Sequence, residues 1–239
     1  MILRLLCLLL LLSSGFQPAP VHAEEDLGEL RTQLGNEWQL TRHDQRRHIK
    51  TYARLEDGKR YRSFRVEAEL NTRVETLARV VLDVDNYTKW FWHTRESRLL
   101  KQVSPTEFIV YMVHNAPAGL PDRDTILRGV LEPQTRSKSH LIMRVSAVPD
   151  YIPKRNSLVR MPAEEISVKL SPIAANKVLL EVEGYFDPGG TVPVWAANFV
   201  QRSAPYSVML GLQRMVDNDH YALDKTPLPF NVYEWSNYN

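Results

Sequence analysis

The sequence predicts an α+β fold in which a curved antiparallel sheet wraps one long C-terminal helix, an arrangement that can enclose a hollow apolar interior. Three observations predict it. Most of the chain between residues 49 and 187 reads as successive strands, several of them alternating apolar with polar. A proline-glycine turn, Asp187-Pro188-Gly189-Gly190-Thr191-Val192-Pro193, ends that series. One long run at helical spacing then follows. Alternation with one polar face marks a half-buried antiparallel sheet, and such a sheet needs a partner for its oily side.

The first 23 residues read as an export signal. Arg4 precedes the apolar run Leu5 to Leu12, and Val21-His22-Ala23 supplies a small residue at the cleavage position. The run is shorter than the about 20 residues a membrane span needs. Cys7, the only cysteine, lies inside this run and lacks the small residues that precede a bacterial lipidated cysteine. The mature chain is therefore expected without disulfides or thiol nucleophiles, which is compatible with a bacterial periplasm. The formal net charge of +2 argues against a dedicated nucleic-acid binder. The expected organisation is a signal over 1–23, one domain over 24–224, and an extended aromatic tail over 225–239.

Residues 24–34 are helix-competent, with Leu27, Leu30 and Leu34 in register. The first strand is 49–55, where Ile49, Thr51, Ala53 and Leu55 alternate with Lys50, Tyr52 and Arg54. After the turn 56–59, residues 60–70 repeat the pattern, with Phe64, Val66, Ala68 and Leu70 on the oily face. Residues 73–85 switch to helical spacing through Val74, Leu77, Ala78, Val81 and Leu82. A short helical turn holding Trp90 and Phe91 follows. Strands are then expected at 98–103, 107–115, 122–132, 140–148, 165–170 and 177–187, mostly joined by short connections that favour antiparallel neighbours. The C-terminal helix starts at Thr191 or Val192, carries Pro193 in its first turn and runs to about Tyr221. Pro205 lies inside it and is expected to kink it.

The chemistry-bearing residues are few. Alternation from Arg123 places its guanidinium with Thr125, Leu127 and Leu131, on the apolar side of the strand. A charge buried there must be answered. Three readings stay open: an anchor for a ligand's polar end, an internal ion pair, or a strand end at the water boundary. His43, Asp44 and His48 lack the spacing of metal ligands on one strand face. Asp83 and Asp85 read as a solvated helix end, and Asp150 as a turn former. The sequence contains no Gly-x-Ser-x-Gly elbow, phosphate-cradling glycine loop or His-Glu-x-x-His pair. No cofactor and no metal is expected.

Five segments in order carry a resemblance: Leu82-Asp83-Val84-Asp85-Asn86-Tyr87-Thr88-Lys89-Trp90; Phe108-Ile109-Val110-Tyr111; Pro121-Asp122-Arg123-Asp124; Ser146-Ala147-Val148-Pro149-Asp150-Tyr151-Ile152-Pro153; and the turn from Asp187 through Trp195. Together they resemble the START family of lipid-transfer domains, in its bacterial exported form, over residues 38–217. The resemblance implies a helix-grip fold with an internal tunnel and non-covalent binding of one phospholipid or sterol-like molecule. It implies that Arg123 is the family's tunnel arginine. Some members place an acidic partner near the stretch of His114 and Asn115, where this chain has none.

The expected ligand-binding set is Arg123, Tyr111, Asn115, Leu127, Met143, Trp195, Phe199 and Met209, with Val66, Val168 and Leu180 completing the wall. Loops 114–122 and 187–192 are the expected gate, and Trp195 is expected at the mouth, against the ligand or a membrane surface. The expected function is shielding or transfer of a lipid across the aqueous envelope space, without catalysis. An alternative is a cyclase or hydrolase on the same scaffold with His114 as its acid or base. A third is an envelope interaction module that uses the aromatic tail.

Overall fold

A computed structural model describes residues 36–117 and 119–238. The export signal expected over 1–23 and the helix expected over 24–34 lie outside the described residues. Among the described residues, ten strands form one curved sheet. They are β1 (Gln39–Asp44), β2 (Ile49–Arg54), β3 (Ser63–Leu70), β4 (Thr94–Ser104), β5 (Glu107–His114), β6 (Arg123–Glu132), β7 (Leu141–Ala147), β8 (Val159–Arg160), β9 (Ala163–Ala174) and β10 (Lys177–Asp187). The path runs β1-β2-β3-β10-β9-β7-β6-β5-β4, with neighbours antiparallel. The two residues of β8 pair in parallel with the start of β6, beyond the end of β7. Among the described residues, three α-helices accompany the sheet: α1 (Val74–Leu82), the long α2 (Val194–Val216) and the single turn α3 (Asp219–Ala222).

The alternating strands fold as their pattern dictates. In β3, Val66, Ala68 and Leu70 are buried while Arg65, Glu67 and Glu69 are partly exposed. Ion pairs such as Arg65–Glu67 at 2.8 Å and Lys177–Glu69 at 3.2 Å cover the outer face. Strand β5 differs, because both of its faces are buried. Val110 and Met112 join the main core, whereas Ile109, Tyr111 and Val113 form a second cluster with Ile126, Val148, Ile152 and Leu158. The connection after β7 therefore acts as a lid on the outer side of the sheet.

Several boundaries depart from the sequence reading. Strand β1 shows no alternation, since its residues are almost all exposed; it is an edge strand, where polar side chains discourage further pairing. The turn expected to hold Trp90 and Phe91 is a 3-10 segment over Val84–Lys89, and Trp90 caps it. The last helix ends at Val216, five residues early. There the Asn218 side chain accepts the His220 N–H at 2.9 Å and starts α3, the capping chemistry that favours a fresh helix start.

Helix α2 is held at its C-terminal half. Met209, Leu212, Met215 and Val216 are buried. Tyr206 donates its hydroxyl to Asp44 Oδ2 at 2.6 Å and lies under the Arg42 guanidinium. Gln213 donates to the Arg47 carbonyl at 3.0 Å. Gly211 meets the backbone of Trp90 so closely that a Cβ there would stand 2.2 Å from the Trp90 carbonyl oxygen.

The C-terminal segment straps the opposite side. Glu234 accepts the N–H groups of Val74 and Glu75 at 3.1 and 3.0 Å. It caps α1, whose own N-cap residue Arg73 makes no side-chain cap. Gln134 pairs with the backbone of Tyr233 through two bonds of 2.9 Å, and Phe230 and Val232 pack on the core. Among the described residues, no helix is long and apolar enough to cross a membrane.

Gly211→Ala is expected to lower the urea midpoint by the equivalent of about 1–3 kcal/mol, the usual cost of overpacking. An unchanged midpoint in equilibrium denaturation contradicts the tight contact between α2 and Trp90.

Candidate functional site

Between the concave face of the sheet and α2 lies a cavity of about 270 Å³. That is many times the about 10–15 Å³ needed by one water. The reason for the space is visible along α2. Its cavity side carries Ala196, Ala197, Val200 and Ala204, followed by Pro205 and Val208. These short side chains do not reach the facing strands, so the interior fills only where Met209 and Leu212 begin. The sheet contributes Val66, Leu127, Met143, Val168 and Leu180, all expected wall residues. Loops 114–122 and 187–192 both contribute lining residues, among them Asn115, Pro117, Leu120, Pro188 and Val192. Gly189 and Gly190 hold φ values of +67° and +61°, which L side chains rarely adopt; Asp187 accepts the Gly189 N–H at 2.8 Å and fixes the turn.

Of the eight expected ligand-binding residues, Arg123, Asn115, Leu127, Met143 and Met209 line this cavity. Tyr111 does not. It is wholly buried on the other face of β5, where its hydroxyl donates to Asp124 Oδ2 at 3.1 Å and accepts from Arg155 at 3.2 Å. Alternation sends Val110, Met112 and His114 inward and Tyr111 outward; Asn115 lies past the strand end, so its side of the sheet does not follow from that of Tyr111. Phe199 and Trp195 are also outside the cavity, 48% and 56% exposed. With Ala196, Val200 and Ala204 turned inward, residues 195 and 199 fall on the outer side of α2, where Phe199 meets Trp92 at 6.0 Å.

Polar groups in the wall are sparse. Arg123 is 7% exposed. Its guanidinium donates to the Pro121 carbonyl, and no carboxylate forms an ion pair with it among the described residues. Its neighbour Asp122 pairs with Arg95 at 3.0 Å and accepts the Ala116 N–H at 2.9 Å. Burial lowers the Arg123 pKa, partly offset by Tyr61 and Asp122. Two further wall donors are buried without a hydrogen-bond partner: the Tyr61 hydroxyl and the Trp90 indole N–H.

Glu164 is the polar group the sequence reading missed. It is the second residue of β9 and lines the cavity, holding one hydrogen bond, from Thr125 Oγ1 at 3.3 Å. Burial pushes its pKa up to about 7, against the opposing effect of Thr125. A signal was present: Glu164 is in phase with Ile166, Val168 and Leu170, so alternation extended by one residue puts it on the oily face. Tyr61 precedes β3 and has no such signal. His114 also faces the cavity, with Nδ1 3.1 Å from Thr94 Oγ1. Burial pulls its pKa down to about 4, so its imidazole is neutral at pH 7. Among the described residues no cluster of metal-ligating side chains occurs.

A curved sheet gripping a helix around an apolar chamber has clear relatives. The START domain matches residues 22–165, and the chain belongs to that family. A STAR-related lipid transfer protein fragment from Xanthomonas axonopodis shares 29% identity, with a TM-score of 0.68 over 76% of this chain and 99% of that one. Human STARD10 shares the fold at a TM-score of 0.65 and 20% identity, over 90% of this chain and 92% of its own. An uncharacterized protein of Pseudomonas aeruginosa is 26% identical over 180 residues, spanning 75% of this chain and 87% of the relative.

Glu164 makes stability depend on pH in a predictable sense. Its folded pKa, about 7, lies above the 4.5 of the free side chain. The native state therefore holds the proton more tightly, and stability falls as pH rises through that window. Glu164→Gln removes this loss. Relative to the parent, the variant is expected to gain about 3 kcal/mol between pH 4.5 and pH 8. Parallel stability-versus-pH curves from urea denaturation would contradict the burial of an ionisable carboxyl here.

Proposed function

We propose that this chain is a periplasmic carrier that holds one hydrophobic guest, a phospholipid or sterol-like lipid, and shields or transfers it across the aqueous envelope space without changing it covalently. The single observation that carries this reading is the apolar cavity between sheet and α2, with the unpaired Arg123 in its wall. Each methylene moved out of water is worth about 0.8 kcal/mol, so a chain of about sixteen carbons resists leaving a membrane by about 12 kcal/mol. A carrier must replace that burial with its own wall, and the lining of Val66, Leu127, Val168, Leu180 and Met209 is of that kind. Arg123 faces the polar end of the guest. The name of the Xanthomonas relative, a lipid transfer protein, supports the same reading, and the signal-like pattern of residues 1–23 agrees with it.

Entry and exit use the loops 114–122 and 187–192 beside the start of α2. Trp195 and Phe199 stand exposed on the outer side of that helix with Arg202 one turn further. Aromatic side chains with a wet edge suit a membrane interface, and a basic residue beside them suits an anionic one. This face makes the transient membrane contact that transfer requires.

Arg123→Leu is expected to reduce co-purified lipid about tenfold or more, in line with losing a charged hydrogen bond, while the thermal midpoint changes little. Native mass spectrometry of the parent and variant, purified from the same envelope, measures both the content and the chemical identity of the guest. Equal lipid content in the two proteins removes Arg123 from the site. A guest recovered chemically altered contradicts a carrier without catalysis.

A further inference from the structure

Among the described residues, the cavity wall presents hydrogen-bond donors and one positive charge, and no carboxylate forms an ion pair with that charge. Arg123 has five N–H donors, and its only hydrogen bond among the described residues goes to the Pro121 carbonyl. The nearest carboxylates in sequence are engaged elsewhere, Asp122 with Arg95 and Asp124 with Arg160. Tyr61, 7% exposed, lines the same cavity with its hydroxyl unpartnered. It lies close enough to Arg123 for each to influence the ionisation of the other. Thr125 follows Arg123 by two residues on one face of β6, which places it about 7 Å along the strand. Its hydroxyl holds Glu164. Burial keeps the Glu164 proton in place up to about pH 7, so below that pH the carboxyl is a third donor rather than a negative charge.

We propose that Arg123, Tyr61 and Glu164 form one subsite for the head of a monoanionic amphiphile, a carboxylate or a singly charged phosphodiester. This rests on the carrier reading and names the class of guest. A carboxylate or phosphodiester brings one negative charge to one positive charge and several lone pairs to three donor side chains. A neutral alcohol head leaves Arg123 without a counter-charge and most of the donors unmet. Below about pH 7 a zwitterionic head brings a cation into a wall whose carboxyl, Glu164, is protonated and offers it no negative charge.

The test uses the full mature chain freed of co-purified lipid, titrated calorimetrically at pH 6 with palmitate, hexadecanol, phosphatidylglycerol and phosphatidylcholine. Palmitate is expected to bind at least tenfold more tightly than hexadecanol if the head is a free carboxylate. Phosphatidylglycerol is expected to exceed phosphatidylcholine by a similar factor if the head is a phosphodiester. Tyr61→Phe and Glu164→Leu are each expected to weaken the preferred anion about tenfold and to weaken hexadecanol by a clearly smaller factor. Equal affinity for charged and uncharged members of both pairs overturns the subsite and leaves the carrier standing. Equal losses of anion and alcohol in the variants overturn it as well, because they indicate a merely structural role. Binding of none of the four probes overturns the carrier reading itself, and the subsite with it.

Discussion

The structure depends on the uneven grip of α2 on the sheet. Its C-terminal half is locked by the contact of Gly211 with the Trp90 backbone, by Tyr206 on Asp44, and by the buried Met209, Leu212, Met215 and Val216. Its N-terminal half offers Ala196, Ala197, Val200 and Ala204 to the same concave surface. A helix pinned at one end cannot sink toward the sheet at the other. The short side chains then leave a chamber instead of a core. Protein interiors normally fill to crystal-like density, so a void of about 270 Å³ forgoes packing energy that a solid core would gain. The rest of the sheet must supply that stability, and it does so through two apolar clusters on opposite faces.

The second cluster gives the site its rigidity. Strand β5 is packed on both sides, so the wall that carries Val110 and Met112 is backed by Ile109, Tyr111 and Val113. Tyr111 belongs to this backing. Its hydroxyl links Asp124 to Arg155, and Arg155 reaches Glu96 at 2.8 Å. The tail works similarly on the far side, where the Glu234 carboxylate completes the open end of α1. Negative charge at a helix N-terminus is favourable, so the strap closes a helix that its own sequence leaves uncapped.

The legible parts of the fold were those where one face meets water and the other meets core. Strands β2, β3 and β10 showed their period, and the proline-glycine turn announced α2. Edge strand β1 was illegible because nothing on it is buried deeply enough to impose alternation. Strand β5 hides its facing for the opposite reason, since both sides are apolar and the pattern does not tell on which side Tyr111 falls. The outward turn of Phe199 was hidden because α2 mixes small and large apolar residues around its circumference. Glu164 was readable from phase alone. Tyr61 was not, because its position depends on how the segment before β3 folds back over the cavity.

Three consecutive charges show how the wall comes to hold an unanswered cation. Asp122 turns to the rim and pairs with Arg95. Asp124 turns to the outer face, where Arg160 meets both of its oxygens at 3.0 and 2.9 Å. Arg123, between them, turns inward and meets no carboxylate among the described residues. Strand alternation makes this separation unavoidable, since neighbours in sequence face opposite ways. The buried Asp124–Arg160 pair fixes the start of β6 and its partner β8, so Arg123 cannot rotate outward to borrow Asp124 without breaking a fully desolvated pair, a costly rupture. The geometry of the strand thus leaves the guanidinium facing the chamber, with the Pro121 carbonyl as its hydrogen-bond partner.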